Sequence, residues 1–223
     1  MAKRIVIAID GPAGSGKSTA AKYLAEKLGF TYVDTGAMYR AITFKAMELG
    51  IVDDIEKVIE LTKKIKISLN FENGITRVFV DDEEVTDKIR TLEVNSKVSD
   101  ISKIGEVRKE LVKLQRKLGE DKNLVAEGRD TTTVVFPNAD LKIYLTASLE
   151  ERAKRRFAEF KEKNSDITID EVKVNLSNRD NIDSSRDVSP LMKAEDAIEF
   201  DNTHTSILDE INILLSKISD LEE

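Results

Sequence analysis

The segment Gly11-Pro12-Ala13-Gly14-Ser15-Gly16-Lys17-Ser18 fits G-x-x-x-x-G-K-[ST] at every fixed position and limits the possible folds more than any other part of the chain. Glycines at these places let the backbone curl until successive N–H groups point at one phosphate. A helix opening after Gly16 adds the partial positive charge of its N-terminus. Lys17 would bridge the β- and γ-phosphates, and the Ser18 hydroxyl would hold Mg²⁺. Such a loop needs a buried strand before it and a helix after it, and both are spelled. Ile5-Val6-Ile7-Ala8-Ile9 is continuous, apolar and β-branched, as suits a strand covered on both faces of a parallel sheet. Downstream, Ala20, Tyr23, Leu24 and Leu28 share one helical stripe that Gly29 would end. A dinucleotide fingerprint is excluded, because G-x-G-x-x-G is not spelled and Lys17-Ser18 would have no purpose. The loop, Gly11 through Thr19, reads as a nucleoside-triphosphate site.

The rest of the chain extends this into an α/β fold. Thr31-Tyr32-Val33 is a second strand, followed by a helix from about Ala37 to Leu49. Leu124-Val125-Ala126, Leu141-Lys142-Ile143-Tyr144-Leu145 and Ala197-Ile198-Glu199-Phe200 supply three more, giving about five strands of an open parallel sheet flanked by helices. One stretch breaks the rhythm. Ile67, Leu69 and Phe71 alternate with polar residues, Asn73-Gly74 follows, and Val78 and Val80 alternate again, which predicts an antiparallel hairpin. The segment 63–95 therefore reads as an insertion into a core of 1–62 and 96–223. A single long amphipathic helix carrying Val98, Ile101, Ile104, Leu111, Leu114 and Leu118 is expected after it. At 223 residues the chain is expected to form one domain.

Composition narrows the chemistry. There are no cysteines, which removes thiolate nucleophiles, redox pairs and cysteine metal sites, and the one histidine, His204, cannot build a multi-histidine centre. So few general bases suit a reaction that hardly needs one. The net charge is −7, so a general nucleic-acid binder is not expected and any anionic ligand must be held by a local basic cluster. No apolar run approaches the ~20 residues of a membrane span, and no export signal is spelled, so a cytoplasmic protein is expected.

The signature motifs D-x-x-G and N-K-x-D of regulatory GTPases are absent, and the chain is short for a motor or transporter ATPase. A small-molecule kinase remains, and its second substrate should account for four further motifs. Asp34-Thr35-Gly36-Ala37-Met38-Tyr39-Arg40 opens a helix where Thr35 and nearby N–H groups would grip an anion under Arg40, though a plain helix cap is the ordinary alternative. Glu127-Gly128-Arg129-Asp130 leaves a core strand at its carboxyl end, where open α/β sheets bind ligands. Thr168 and Glu171 spell a capping box, and from there Val172, Leu176, Arg179, Asp183 and Arg186 form one stripe, apolar and then charged. Charged groups facing a core are costly unless a ligand or partner satisfies them. Finally, Arg152, Lys154, Arg155 and Arg156 cluster where a mobile lid, about 150–168, would carry arginines to a transferring phosphoryl group. A kinase for another acceptor (UMP, shikimate or a nucleoside) and a nucleotide-binding regulatory module both stay open at this point.

Together the motifs resemble those of the bacterial cytidylate kinases, of the nucleoside-monophosphate kinase superfamily. The likeness runs over essentially the whole chain: G-P-x-G-S-G-K-S, D-[ST]-G-A-x-Y-R, I-R-x-x-x-V, E-G-R-D, T-V-V-F-P and R-D-x-x-D-S-S-R-x-x-S-P-L. The resemblance implies transfer of the γ-phosphoryl of MgATP to CMP or dCMP, by a monomer, in pyrimidine nucleotide metabolism, with the insertion enlarging the monophosphate region. It implies that Arg40, Arg129 and Arg186 grip the CMP phosphate with Thr35 nearby, that Arg179 and Asp183 contact phosphate and ribose, and that Ser99, Arg108 and Asp130 read cytosine. Lys17, Arg129, Arg186, Arg152 and Arg156 would be catalytic. The family reads G-R-D-[IM]-G-T where this chain has Thr131-Thr132-Thr133 after Asp130. If that glycine needs a positive φ, Thr132 would displace Asp130. The tail Asp201-Asn202-Thr203-His204 is also atypical, and His204 is expected to be a bystander.

Overall fold

The computed structural model describes residues 4–72, 74–120, 122–162 and 166–219. β1 (Val6–Asp10) is buried along its whole length, as the unbroken apolar run up to Ile9 requires. It lies at the centre of a parallel sheet with β2 (Thr31–Asp34), β6 (Leu124–Gly128), β7 (Leu141–Thr146) and β8 (Ile198–Asp201), in the order β2-β6-β1-β7-β8. The five strands are those expected from the sequence, and they point the same way, so their carboxyl ends form one rim. Helices α1 (Lys17–Leu28) and α8 (Ile207–Ser219) cover one face, where Ala20, Leu24, Ile211 and Leu214 meet Ile7, Ile9 and Ile143. Each of those three isoleucines is fully buried, about 1.5–3 kcal/mol of stabilisation apiece. That packing fixes the strand ends on which the glycine loop is mounted.

The other face carries α2 (Thr35–Glu48) and α5 (Gly105–Leu118), with α3 (Ile55–Lys64) and α4 (Leu92–Lys103) packed on those two helices. Between α3 and α4 the chain forms a separate antiparallel sheet of β3 (Ile67–Glu72), β4 (Ile75–Val80) and the short β5 (Glu83–Glu84). Ile67 pairs with Val80 and Glu72 with Ile75, the alternating register read from the sequence. Asn73 of the expected turn lies outside the described residues. Phe71 meets Tyr32 edge to face at 5.1 Å and ties this small sheet to β2.

The single long helix expected through Val98 and Leu118 is two helices. α4 ends at Lys103 and α5 starts at Gly105, with Ile104 extended at ψ 112°. A glycine inside a helix costs about 1 kcal/mol relative to alanine, so the chain breaks there at little expense. Arg108 then donates to the Ser102 carbonyl at 3.1 Å and satisfies the end of α4. The two halves face different neighbours, α4 packing on α2 and α5 on α3.

α6 (Leu149–Glu162) and α7 (Ile169–Ser185) form a hairpin with its own small core, in which Ala153, Val172 and Leu176 close on Ala13 of the glycine loop. The capping box of Thr168 and Glu171 starts α7 as expected. Residues 163–165, within the expected lid, lie outside the described residues. No helix among the described residues is long and apolar enough to cross a membrane.

Candidate active site

The glycine loop runs from the end of β1 to the start of α1 at the carboxyl rim of the sheet. Gly11 has φ 153°, and a Cβ there would sit 1.9 Å from the Leu145 carbonyl oxygen, so only glycine lets the loop pass β7. Several loop carbonyls are held by side chains, one from within the loop and two from outside it. Lys17 Nζ donates to Pro12 O at 2.8 Å, Arg152 Nη1 to Ala13 O at 2.9 Å and Asn202 Nδ2 to Ser15 O at 2.9 Å. The first turn of α1 offers N–H groups that have no partner within the helix. Lys17 is nearly fully buried, and that burial, with Arg129 close by, lowers its ammonium to about 7.

Two acids on neighbouring strand ends, Glu127 and Asp10, were given no role of their own from the sequence. Glu127 accepts from Ser18 Oγ at 2.7 Å and Tyr32 OH at 3.3 Å, and burial, then Asp34, raises its carboxyl above the usual range. Asp10 accepts from the Thr131 and Thr132 amides at 2.9 and 2.7 Å and from the Thr132 hydroxyl at 2.6 Å. Thr132 is thereby a hydrogen-bond partner of Asp10 through both its amide and its hydroxyl. It has no positive φ, sits in a π-helical turn (Thr131–Val135) and turns its hydroxyl onto Asp10. Around Ser18 the donors are all oxygens, and no group of three acidic or histidine side chains that could enclose a metal occurs among the described residues. This set suits a hard divalent ion held chiefly by phosphate oxygens and water, as Mg²⁺ is.

Facing the loop is a cleft of about 1230 Å³, counting its open mouth. Among the described residues eight basic and five acidic side chains line it, a local excess of positive charge on a chain whose net charge is −7. Asp183 joins Arg129 (Nε at 2.8 Å) and Arg186 (Nη1 at 3.2 Å). Asp34, which also caps α2 by accepting from the Ala37 amide, joins Arg40 at 3.0 Å and Arg90 at 3.4 Å. Thus two buried carboxylates hold four arginines. Arg40 folds back over the start of α2, 3.2 Å from where a Gly36 Cβ would lie. Thr35 donates to the Glu127 carbonyl at 2.7 Å, linking that helix start to β6. Arg179 projects from α7, its guanidinium lowered to about 10 by burial and by Arg129. The Nε atoms of Arg40 and Arg179 and Nη2 of Arg186 are buried with no hydrogen-bond partner among the described residues. Arginines with unmet donors that converge on one cavity mark a place for an anion.

Deeper in the cleft, Arg108 forms an ion pair with Asp130 and lies over the Tyr39 ring at 5.1 Å. Their alignment leaves Asp130 Oδ2 without a formed hydrogen bond, and Ser99 lines the same wall. The candidate residues of the second site are thus brought together. Of the two arginines expected on the lid, Arg156 lines the cleft, paired with Glu159 and stacked on Phe160 at 4.8 Å. Arg152 does not; it is bound to Ala13 O and to Asp180 at 2.6 Å. Arg90 carries a signal in the sequence, since it is the arginine of I-R-x-x-x-V. His204 is exposed and lies outside the cleft.

A phosphate-binding loop that opens onto an internal cleft of its own chain, at the rim of a five-stranded parallel sheet, is the architecture of a P-loop kinase. Among solved structures, an uncharacterized protein from Eubacterium ventriosum superposes with a TM-score of 0.53 at 13% identity, over 98% of this chain and 99% of its own, a likeness of fold alone. A family model described as cytidylate kinase matches residues 7–220. The cytidylate kinase of Fusobacterium nucleatum is 49% identical over 215 residues, 96% of this chain and 97% of the relative. That of Bacillus subtilis is 47% identical over 219 residues, 98% of each. The chain belongs to the cytidylate kinase family.

Proposed function

We propose that this enzyme transfers the γ-phosphoryl group of MgATP to CMP or dCMP, giving CDP or dCDP and ADP. The observation that carries the reading is the convergence of Arg40, Arg129, Arg179 and Arg186 on the cleft that Lys17 also lines. The acceptor is a phosphate monoester whose second pKa is ~6, so it is mostly dianionic near pH 7. One of its oxygens forms the new bond to the γ-phosphorus as the bond to the β–γ bridging oxygen breaks, and ADP leaves. No side chain has to remove a proton, which agrees with a cleft that contains no histidine.

Catalysis is then positioning and charge neutralisation. Lys17 holds the donor phosphates. When bound, Mg²⁺ would supply further charge neutralisation, held at Ser18 with Glu127 behind it. Arg129 and Arg186, fixed by Asp183, grip the acceptor, and Arg156 stands at the entrance. Arg152 reaches the transferring group only by releasing Ala13 and Asp180. The segment 63–95 and the lid about 150–168 close over the substrates and exclude water, in keeping with the separate small core of the α6–α7 hairpin. The enzyme acts as a cytoplasmic monomer.

Cytosine offers an amino donor beside two acceptors, so it suits one carboxylate and two donors, as Asp130, Arg108 and Ser99 provide. Uracil would set a carbonyl lone pair against the carboxylate. An ATP-coupled screen of CMP, dCMP, UMP, AMP and GMP should show turnover with the two cytidylates well above the rest. Preference for another base, or no ATP consumed with any monophosphate, overturns the reading. In the same assay Asp130→Ala should narrow the CMP-over-UMP ratio of kcat/KM by ~10-fold or more. An unchanged ratio would put base reading elsewhere.

A further inference from the structure

A phosphate-binding loop that turns its N–H groups toward a ligand turns carbonyls the other way, and a buried carbonyl needs a donor from elsewhere in the chain. Ser15 O is served by Asn202, which is 187 positions away in sequence and follows the last strand of the sheet. Asn202 is buried, and its own amide donates to Thr146 O of β7 at 2.9 Å, which fixes its backbone.

The orientation of its side-chain amide follows from its partners. Arg155 can only donate, and its Nη1 lies 3.0 Å from Asn202 Oδ1 while Nη2 donates to Asn202 O at 3.0 Å. The amide oxygen therefore faces Arg155, and Nδ2 faces two acceptors, Ser15 O and Glu210 Oε2 at 2.8 Å. Arg155 is held in turn by Glu151 at 3.1 Å. Asn202 thus ties the glycine loop to α6 and α8. Its Nδ2 lies 3.4 Å from where a Gly16 Cβ would be, directly behind the N-terminus of α1.

We propose that Asn202 is a positioning residue of the triphosphate site: its amide, aligned by Arg155 and Glu210, holds the Ser15 carbonyl outward and so keeps the loop N–H groups turned to the phosphates. The proposal rests on reading the loop as the ATP site. Asn202 is buried, does not line the cleft and bonds the glycine loop itself, so its effect should fall on the donor nucleotide and spare the acceptor.

N202D tests this with almost no change of shape, replacing the donor with a carboxylate that faces a carbonyl and Glu210. KM for ATP should rise ~10-fold or more, with KM for CMP and kcat at saturating ATP within about twofold of wild type. N202D/E210Q removes the like-charge contact and should recover thermal stability while KM for ATP stays high, a split that a purely structural role would not produce. If the carboxylate prevents folding, N202S adds no charge, cannot span both acceptors and should still raise KM for ATP several-fold. Equal rises in both KM values, or an unchanged KM for ATP, overturn the proposal. A wild-type enzyme that turns over neither nucleotide overturns the functional reading instead, so the two failures are distinct.

Discussion

Lys17→Ala is expected to lower kcat by about 10³-fold, the scale found when a preorganised group facing developing charge is removed. Lys17 Nζ now rests 2.8 Å from Pro12 O and 3.4 Å from Ser15 Oγ, parked within the loop it serves. Burial and the nearby Arg129 make its charge costly, and polyphosphate oxygens reverse that cost, so the ammonium is placed where it gains most from substrate. Among the described residues no other lysine lines the cleft to take its place. Coupled measurement of ADP release checks the rate, and a thermal melt within a few degrees of wild type checks the fold. A rate near wild type would remove Lys17 from the mechanism.

The second large effect is Asp183→Ala. Asp183 is 5% exposed and carries both Arg129 and Arg186. Removing one partner of a buried ion pair leaves uncompensated charge and costs about 3–5 kcal/mol. For a chain of this size that lowers Tm by about 6–20 °C. Burial works to raise the Asp183 carboxyl, but Arg129, Arg186 and Arg179 outweigh it and hold the group below its ordinary value. A depressed folded-state pKa contributes stability above the unfolded value of about 3.9, lost as pH falls through the folded value. The variant should therefore show a shallower loss of stability at acid pH than wild type. Because the proposed ribose contact reaches a hydroxyl that dCMP lacks, kcat/KM for CMP and dCMP should also fall unequally. A wild-type melt and an unchanged CMP-to-dCMP ratio would contradict both roles.

What could be read in the chain was what local spacing encodes. The loop, its strand and its helix are contiguous, so their chemistry is visible in the one stretch from Val6 to Leu28. The stripe from Val172 to Arg186 was legible because helical periodicity puts charge where apolar side chains should continue. The join at Ile104 was not, because both halves are amphipathic and the apolar pattern passes through it; Gly105 was the single hint. Contacts made across the sheet rim were also hidden. Thr132 meets Asp10 at a separation of 122 positions and Asn202 meets Ser15 at 187, and nothing in either local pattern names the partner. Asp34 was legible as a helix cap, whereas its grip on Arg90 depends on how the inserted sheet returns to the core.

The elbow at Ile104 has an effect on aim. On one unbroken helix the step from Ser99 to Arg108 is about two and a half turns, which would send the two side chains to opposite sides. Bent at Ile104, the chain shows both to the same chamber. A short lapse in backbone regularity thereby gathers a hydroxyl and a guanidinium that a straight rod would have kept apart.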